Sequence, residues 1–166
     1  AVQDPKPDGS GWGDLYMGLV YNPITDESFW AERGKGAFLG HKRLRVSARR
    51  KLSEALVATG VPFKGHGDIE EWGKIYAAIA PEVAGIRRFG AASLDLAWLA
   101  AGRYDGFWES GLSPWDTAAG CLIVREAGGF VTDYRGRSPA IADAQLLAGN
   151  DQLHSRLHKL LVGALK

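Results

Sequence analysis

The sequence predicts a layered α/β fold, in which an N-terminal antiparallel hairpin region is followed by a mixed sheet covered by helices. Two observations support this prediction. Up to about residue 52, short apolar segments alternate with turn-forming residues and form no helix-like pattern. From residue 53, short apolar strands alternate with longer helical segments, which is typical of a sheet covered by helices. We therefore expect an antiparallel strand region at 1–52 and an α/β domain at 53–166.

The first region carries short strands separated by turns. A hairpin is expected where 15–21 and 28–32 flank the turn-forming segment Asn22-Pro23-Ile24-Thr25-Asp26. Gly34-Lys35-Gly36 marks another turn. The predicted strands of this region are 15–21, 28–32, 37–39 and 43–46.

The second region alternates strands with helices. Glycine at position 102 ends the second helix, and Gly128-Gly129 ends the third. The predicted strands are 56–59, 86–89, 104–109, a short strand at Phe130 and 145–148. The predicted helices are 69–80, 92–101, a helix from Pro114 and 151–164.

Composition narrows the class of protein. The 166 residues carry a net charge of +1, with 46% hydrophobic and 23% charged residues, which argues against a dedicated nucleic-acid binder. The single cysteine, Cys121, excludes an internal disulfide. The longest apolar run, 96–101, is far shorter than a membrane span, and no signal peptide is visible. We expect a cytoplasmic protein that does not bind membranes.

The segment Ser113-Pro114-Trp115-Asp116-Thr117-Ala118-Ala119-Gly120 combines a helix start with an acid and small residues. Ser113 suits the N-cap, and Pro114 suits the first helical position. Asp116 then falls in the first turn, where its carboxylate is either a cap or a metal ligand beside an anion-binding helix terminus. The small residues at 118–120 allow another backbone to approach closely.

Several segments together carry a family resemblance. They are 18–23, 31–38, 87–96, 104–109, 115–120 and 126–129. In this order, they resemble the C-terminal portion of the inositol monophosphatase family, which comprises magnesium-dependent phosphatases of small phosphorylated polyols and sugars. The resemblance covers nearly the whole chain. It implies the layered sugar-phosphatase fold, Mg²⁺ as the cofactor, a phosphorylated polyol or sugar as the substrate, and a homodimer.

The resemblance also implies roles for individual residues. Asp116 would be a catalytic residue that ligates magnesium and contacts the substrate, and Glu109 would accept hydrogen bonds from substrate hydroxyls. Backbone groups of Gly90, Ala91 and Ala92 would contact the same polyol. The family often has Gly-Ser-Ala-Ala at this point, so a serine hydroxyl contact is in doubt here. Without the resemblance, the small residues could serve helix packing and Glu109 could be a solvated acid at a strand end.

Two metal-binding motifs of the family are missing from the sequence, namely a Glu-Glu helix and an Asp-Pro-x-Asp-Gly-Thr loop. The segment Asp4-Pro5-Lys6-Pro7-Asp8-Gly9 imitates that loop, but its spacing is one residue too long, and we interpret 4–11 as a turn between two strands. The chain is similar to about the C-terminal 60% of such a phosphatase. We therefore expect it to be inactive alone.

Other functions remain open at this point. One alternative is a non-catalytic binding or scaffold protein, since some bacterial relatives are thought to bind the transcription machinery. Another is a related phosphatase that acts on histidinol phosphate or adenosine bisphosphate. His154 and His158 are expected on a solvated helix face, and the basic cluster at 42–51 is expected to be a solvated turn. Trp98, Trp108 and Trp115 are expected in the core.

Overall fold

The computed structural model describes residues 1–5, 12–138 and 144–166. These residues form two five-stranded sheets and four α-helices. The α/β class and the division into an antiparallel and a mixed sheet are confirmed. The domain boundary at residue 52 stays a prediction. Side chains from both sides of this position pack in one hydrophobic core.

The first sheet is antiparallel throughout, with its strands in sequence order. Its strands are β1 (Val2–Pro5), β2 (Trp12–Asn22), β3 (Glu27–Glu32), β4 (Gly36–Leu39) and β5 (Lys42–Arg43). The pairing of β1 with β2 agrees with the expected pair of strands, but Asp4 and Pro5 extend β1, and residues 6–11 of the predicted turn lie outside the described residues.

The last strand of this sheet is shorter than the predicted 43–46. The Leu44 N–H still donates to the Ala37 carbonyl of β4 at 2.8 Å, but the Val46 N–H donates instead to the Ala127 carbonyl, 3.1 Å away. This hydrogen bond directs the backbone toward the second half of the molecule.

The second sheet is mixed. Its strands are β6 (Leu56–Thr59), β7 (Gly85–Arg87), β8 (Gly106–Ser110), β9 (Phe130–Thr132) and β10 (Gln145–Gly149), in the order β7-β6-β8-β10-β9. Strands β7 and β8 run parallel to β6, whereas β10 runs antiparallel to both β8 and β9. The predicted strand 86–89 ends earlier, at Arg87. The predicted strand 104–109 begins later, at Gly106, because the Asp105 carboxylate turns inward and accepts the Leu56 N–H at 2.7 Å.

The four helices match the predicted segments closely. They are α1 (Ile69–Ile79), α2 (Ala92–Ala100), α3 (Pro114–Glu126) and α4 (Asp151–Ala164). Helices α2 and α3 pack together, with α3 against the first sheet and α2 also against the second. Helices α1 and α4 pack with side chains of the second sheet in a separate core cluster. In the described residues, no helix is long and apolar enough to cross a membrane.

The small residues of α3 allow the close approaches that the sequence predicts. A Cβ atom at Gly18 of β2 would lie 2.9 Å from the Ala119 carbonyl oxygen. A Cβ at Gly120 would lie 2.6 Å from the Leu96 Cβ of α2. At its other end, α3 is fixed by Glu126, whose two carboxylate oxygens accept the N–H groups of Gly34 and Gly36 at 2.9 Å each. Helix α3 therefore joins the first sheet to α2.

The outer face of the first sheet carries apolar side chains. In β2 the buried residues Gly18 and Val20 alternate with Met17, Leu19 and Tyr21, which are exposed. Helices α2 and α3 pack on the inner face of this sheet. In the part of the chain that the structure describes, no helix packs on its outer face. A contiguous apolar face of this kind favours association.

We expect the 166-residue chain to self-associate through this face. The double variant Leu19→Lys/Tyr21→Lys should shift the mass in solution toward the monomer, because it places two charges on the face. Light scattering coupled to gel filtration measures the effect. Ile24→Lys is the matched control, because Ile24 is 91% exposed but lies in the β2–β3 turn. A monomeric parent chain, or an equal response to Ile24→Lys, would contradict the prediction.

Candidate functional site

The predicted site residues line one cavity of about 340 Å³. Gly90, Ala91 and Ala92 form the start of α2, Glu109 lies near the end of β8, and Asp116 lies in the first turn of α3. Three separate segments of the chain thus meet at one place. The cavity lies at the carboxyl ends of the parallel strands β6 and β8. Open α/β sheets bind ligands at these strand ends.

Asp116 caps its own helix. Its Oδ2 atom accepts the Ser113 N–H at 2.9 Å, and Ser113 is the N-cap residue, as the sequence predicts. Within the described ranges, the Oδ1 atom receives no hydrogen bond. The cap interpretation is therefore correct, and one carboxylate oxygen remains available to a ligand.

Glu109 is held against the backbone of Gly60, the residue that follows β6. A Cβ atom at Gly60 would overlap the Glu109 carboxylate, so any larger residue there would displace this carboxylate. Burial, together with the charges of Asp95 and Asp116, raises the pKa of Glu109 to about 7, against the opposing effect of Arg88. Glu109 is thus a partly buried acid rather than a solvated one.

The start of α2 is open to a ligand. Its N-cap residue, Ala91, has no side chain that could accept a hydrogen bond from the first turn. The preceding residue, Gly90, has φ = +88°, a conformation that favours glycine. The first-turn N–H groups therefore lie beside the cavity without a side-chain cap.

The cavity also contains residues that the sequence did not single out as ligand contacts. Arg88 and His66 bring basic groups to its lining, and Phe63 brings an aromatic ring. Trp115 also lines it and is 81% exposed, so the expectation that Trp115 lies in the core is wrong. Its position beside Pro114, in the first turn of α3, places the indole at the cavity rim rather than between the sheets. Trp98 and Trp108 are buried as expected.

Magnesium prefers oxygen ligands, and the free oxygen of Asp116 meets that requirement. In the described ranges, this cavity included, no group of three or more His, Cys, Asp or Glu side chains is arranged to hold a metal ion. The free oxygen of Asp116 is thus the kind of group that a magnesium site uses.

The remaining polar clusters serve the fold. His154 is half-buried rather than solvated, its Nε2 atom lies 2.9 Å from the Thr132 hydroxyl, and burial lowers its pKa. In the basic cluster at 42–51, Arg49 pairs with the buried Asp105 at 3.3 Å, and Lys51 pairs with Glu54 at 3.2 Å. Arg49 therefore connects this segment to a buried acid, whereas the pair between Lys51 and Glu54 is exposed.

Comparison with known proteins shows which family the sequence is similar to. A model described as "Inositol monophosphatase family" matches residues 12–166. The inositol-1-monophosphatase of Caulobacter vibrioides is 51% identical over 152 residues, which cover 90% of this chain and 59% of that protein. The Nus factor SuhB of Pseudomonas aeruginosa is 46% identical over 147 residues, covering 87% of this chain and 54% of that protein.

A solved structure shows the same fold. The extragenic suppressor protein suhB from Bartonella henselae superimposes with a TM-score of 0.86 and 48% identity, covering 91% of this chain and 59% of that one. The chain thus spans less than three fifths of the length of these relatives.

Proposed function

The chain belongs to the inositol monophosphatase family, and from that premise we propose that it forms the alcohol-binding side of a magnesium-dependent phosphomonoesterase. The substrate would be myo-inositol phosphate or a similar phosphorylated polyol or sugar. The observation that supports this proposal is the cavity, where Asp116, Glu109 and the start of α2 converge from three segments of the chain.

In the proposed reaction, each element has a separate task. Asp116 would hold magnesium through the carboxylate oxygen that does not cap α3. When bound, magnesium polarises the phosphate and lowers the pKa of an attacking water. Glu109 would bind the hydroxyl groups of the alcohol, and the uncapped N–H groups at the start of α2 would donate to its oxygen atoms. These contacts orient the substrate for displacement of the alcohol.

One carboxylate holds magnesium weakly against its hydration shell. We therefore propose that further ligands come from the part of the relatives that this chain does not match, and that the 166-residue chain alone is inactive. Homodimer formation and a cytoplasmic location belong to the same proposal, because they rest on the family resemblance and on composition.

Glu109→Gln should change substrate preference. We expect a loss of about 10- to 100-fold in kcat/KM for a polyol phosphate, since hydrogen bonds to a charged group contribute more than neutral ones. The loss should be small for a simple phosphate ester without hydroxyl groups. Steady-state assays with both substrates measure it in a fusion of this chain to the unmatched part of the Caulobacter vibrioides relative.

Glu54→Gln is the control, because Glu54 is exposed and lies outside the cavity. Equal losses on both substrates in Glu109→Gln would place Glu109 at the metal or in the scaffold instead. Histidinol phosphate and adenosine bisphosphate belong in the same assay panel, since a related phosphatase would prefer one of them.

A second candidate function is non-catalytic binding, which the similarity to the Nus factor SuhB of Pseudomonas aeruginosa favours. The basic cluster at 42–51 offers fewer free charges for such binding than its sequence suggests, because Arg49 pairs with the buried Asp105. A folded fusion that releases no phosphate from any substrate of the panel would favour this second function.

A further inference from the structure

A two-residue turn places Phe63 beside the cavity. The N–H groups of Phe63 and His66 each donate to the carbonyl of the other residue, at 3.2 and 2.9 Å. Between them, Lys64 and Gly65 have positive φ angles of +47° and +82°, which the tightest hairpin turns require. Phe63 and His66 therefore lie side by side across the turn, with their ring centroids 5.6 Å apart.

The 63–66 turn is anchored to its surroundings. A Cβ atom at Gly111, the residue after β8, would lie 2.5 Å from the Gly67 nitrogen and 2.9 Å from the His66 carbonyl carbon, so the two backbones are in direct contact. On its other side, Asp68 caps α1 by accepting two N–H groups of the first helical turn, at 2.8 and 3.1 Å. These contacts fix the position of the turn relative to the cavity.

Phe63 and Trp115 give the cavity an aromatic rim. Phe63 is 61% exposed, Trp115 is also strongly exposed, and both line the cavity from different segments of the chain. The acids Glu109 and Asp116 line the same cavity. Ligand pockets commonly combine aromatic walls with a few polar groups that orient the ligand. A ligand that matches this lining has an apolar face and hydroxyl groups around its edge.

Ring-shaped polyols have such a face. In a cyclitol or a pyranose, the hydroxyl groups point mostly outward from the ring edge, and the C–H groups form apolar faces. An open-chain polyol such as glycerol has no fixed face of this kind. We propose that Phe63 is a specificity-determining residue, whose ring packs on the C–H face of a cyclic alcohol and favours it over an open-chain one. This selectivity rests on the proposed function, because the alcohol is that of the phosphate ester.

Binding to the 166-residue chain tests this role without catalysis. The probes are myo-inositol phosphate and glycerol phosphate, which share the phosphate group and differ in the ring. Amide NMR shifts of the ¹⁵N-labelled chain, followed at residues 63–66, give both dissociation constants. Phe63→Ala should weaken binding of the inositol phosphate by about 5-fold or more and leave glycerol phosphate unchanged, because only the cyclic probe loses a ring contact. Phe63→Tyr keeps the ring and should retain the parent affinity.

Phe130→Ala is the matched control. Phe130 is also exposed and also lies beside a histidine ring, with its centroid 6.2 Å from that of His154, but it is not part of the cavity lining. This variant should leave both dissociation constants unchanged.

Three results would overturn the proposal. They are an equal loss for both probes in Phe63→Ala, an unchanged affinity of that variant for the inositol phosphate, and the absence of shifts at residues 63–66 with either probe. An inactive fusion together with the expected binding pattern would count against the proposed catalytic function alone.

Discussion

Asp116→Asn should reduce the magnesium-dependent phosphatase activity of the fusion by about 100-fold or more, because a metal ion contributes several kcal/mol of transition-state stabilisation. The substitution removes the negative charge that would hold magnesium beside α3. The fold should change little, since an asparagine oxygen can still accept the Ser113 N–H that Asp116 accepts at 2.9 Å. Phosphate release at millimolar magnesium measures the loss.

Asp151→Asn is the control for this prediction. Asp151 also lies in the first turn of a helix, α4, but it is not part of the cavity lining. Its substitution should leave turnover unchanged. If Asp116→Asn retains activity within a few fold of the parent, the residue serves only as a helix cap.

Gly120→Ala should destabilise the chain by about 1–3 kcal/mol. Its new Cβ would lie 2.6 Å from the Leu96 Cβ and 2.7 Å from the Leu96 Cδ1. The Cβ of Leu96 is fixed to the backbone of α2, so the two helices must move apart. The free energy of unfolding, obtained by denaturant titration, measures the effect.

Gly73→Ala provides a matched control within the same chain. Gly73 also lies inside a helix, α1, but no atom lies within 4 Å of the position its Cβ would take. Alanine is the better helix former, so this variant should gain up to about 1 kcal/mol. Equal effects of the two substitutions would show that α2 and α3 do not pack as closely as Gly120 and Leu96 indicate.

Local signals in the sequence account for much of the fold. Ser113 and Pro114 predict the start of α3, and the small residues after them predict the close packing that Gly18 and Gly120 display. These features were predictable because capping and steric bulk depend on a few neighbouring residues. The alternation of strands and helices likewise predicts a mixed sheet, although not the order of its strands, which depends on distant pairing.

Other features of the fold and the site depend on tertiary contacts, which the sequence alone does not reveal. The inward turn of Asp105 toward Leu56 shortens β8, and Trp115 lies at the cavity rim although its apolar ring suggests the core. The five predicted cavity residues were found through family resemblance, because glycine, alanine and single acids carry no distinctive local pattern. The burial that raises the pKa of Glu109 likewise has no signature in the sequence.

The most direct test measures phosphate release from myo-inositol phosphate. It compares the 166-residue chain with a fusion of this chain to the unmatched part of the Caulobacter vibrioides relative. Both proteins are assayed with millimolar magnesium and again after chelation with EDTA. The account predicts no turnover by the chain alone, and turnover by the fusion that requires magnesium. Robust turnover by the chain alone, or equal turnover by the fusion with and without magnesium, would contradict it.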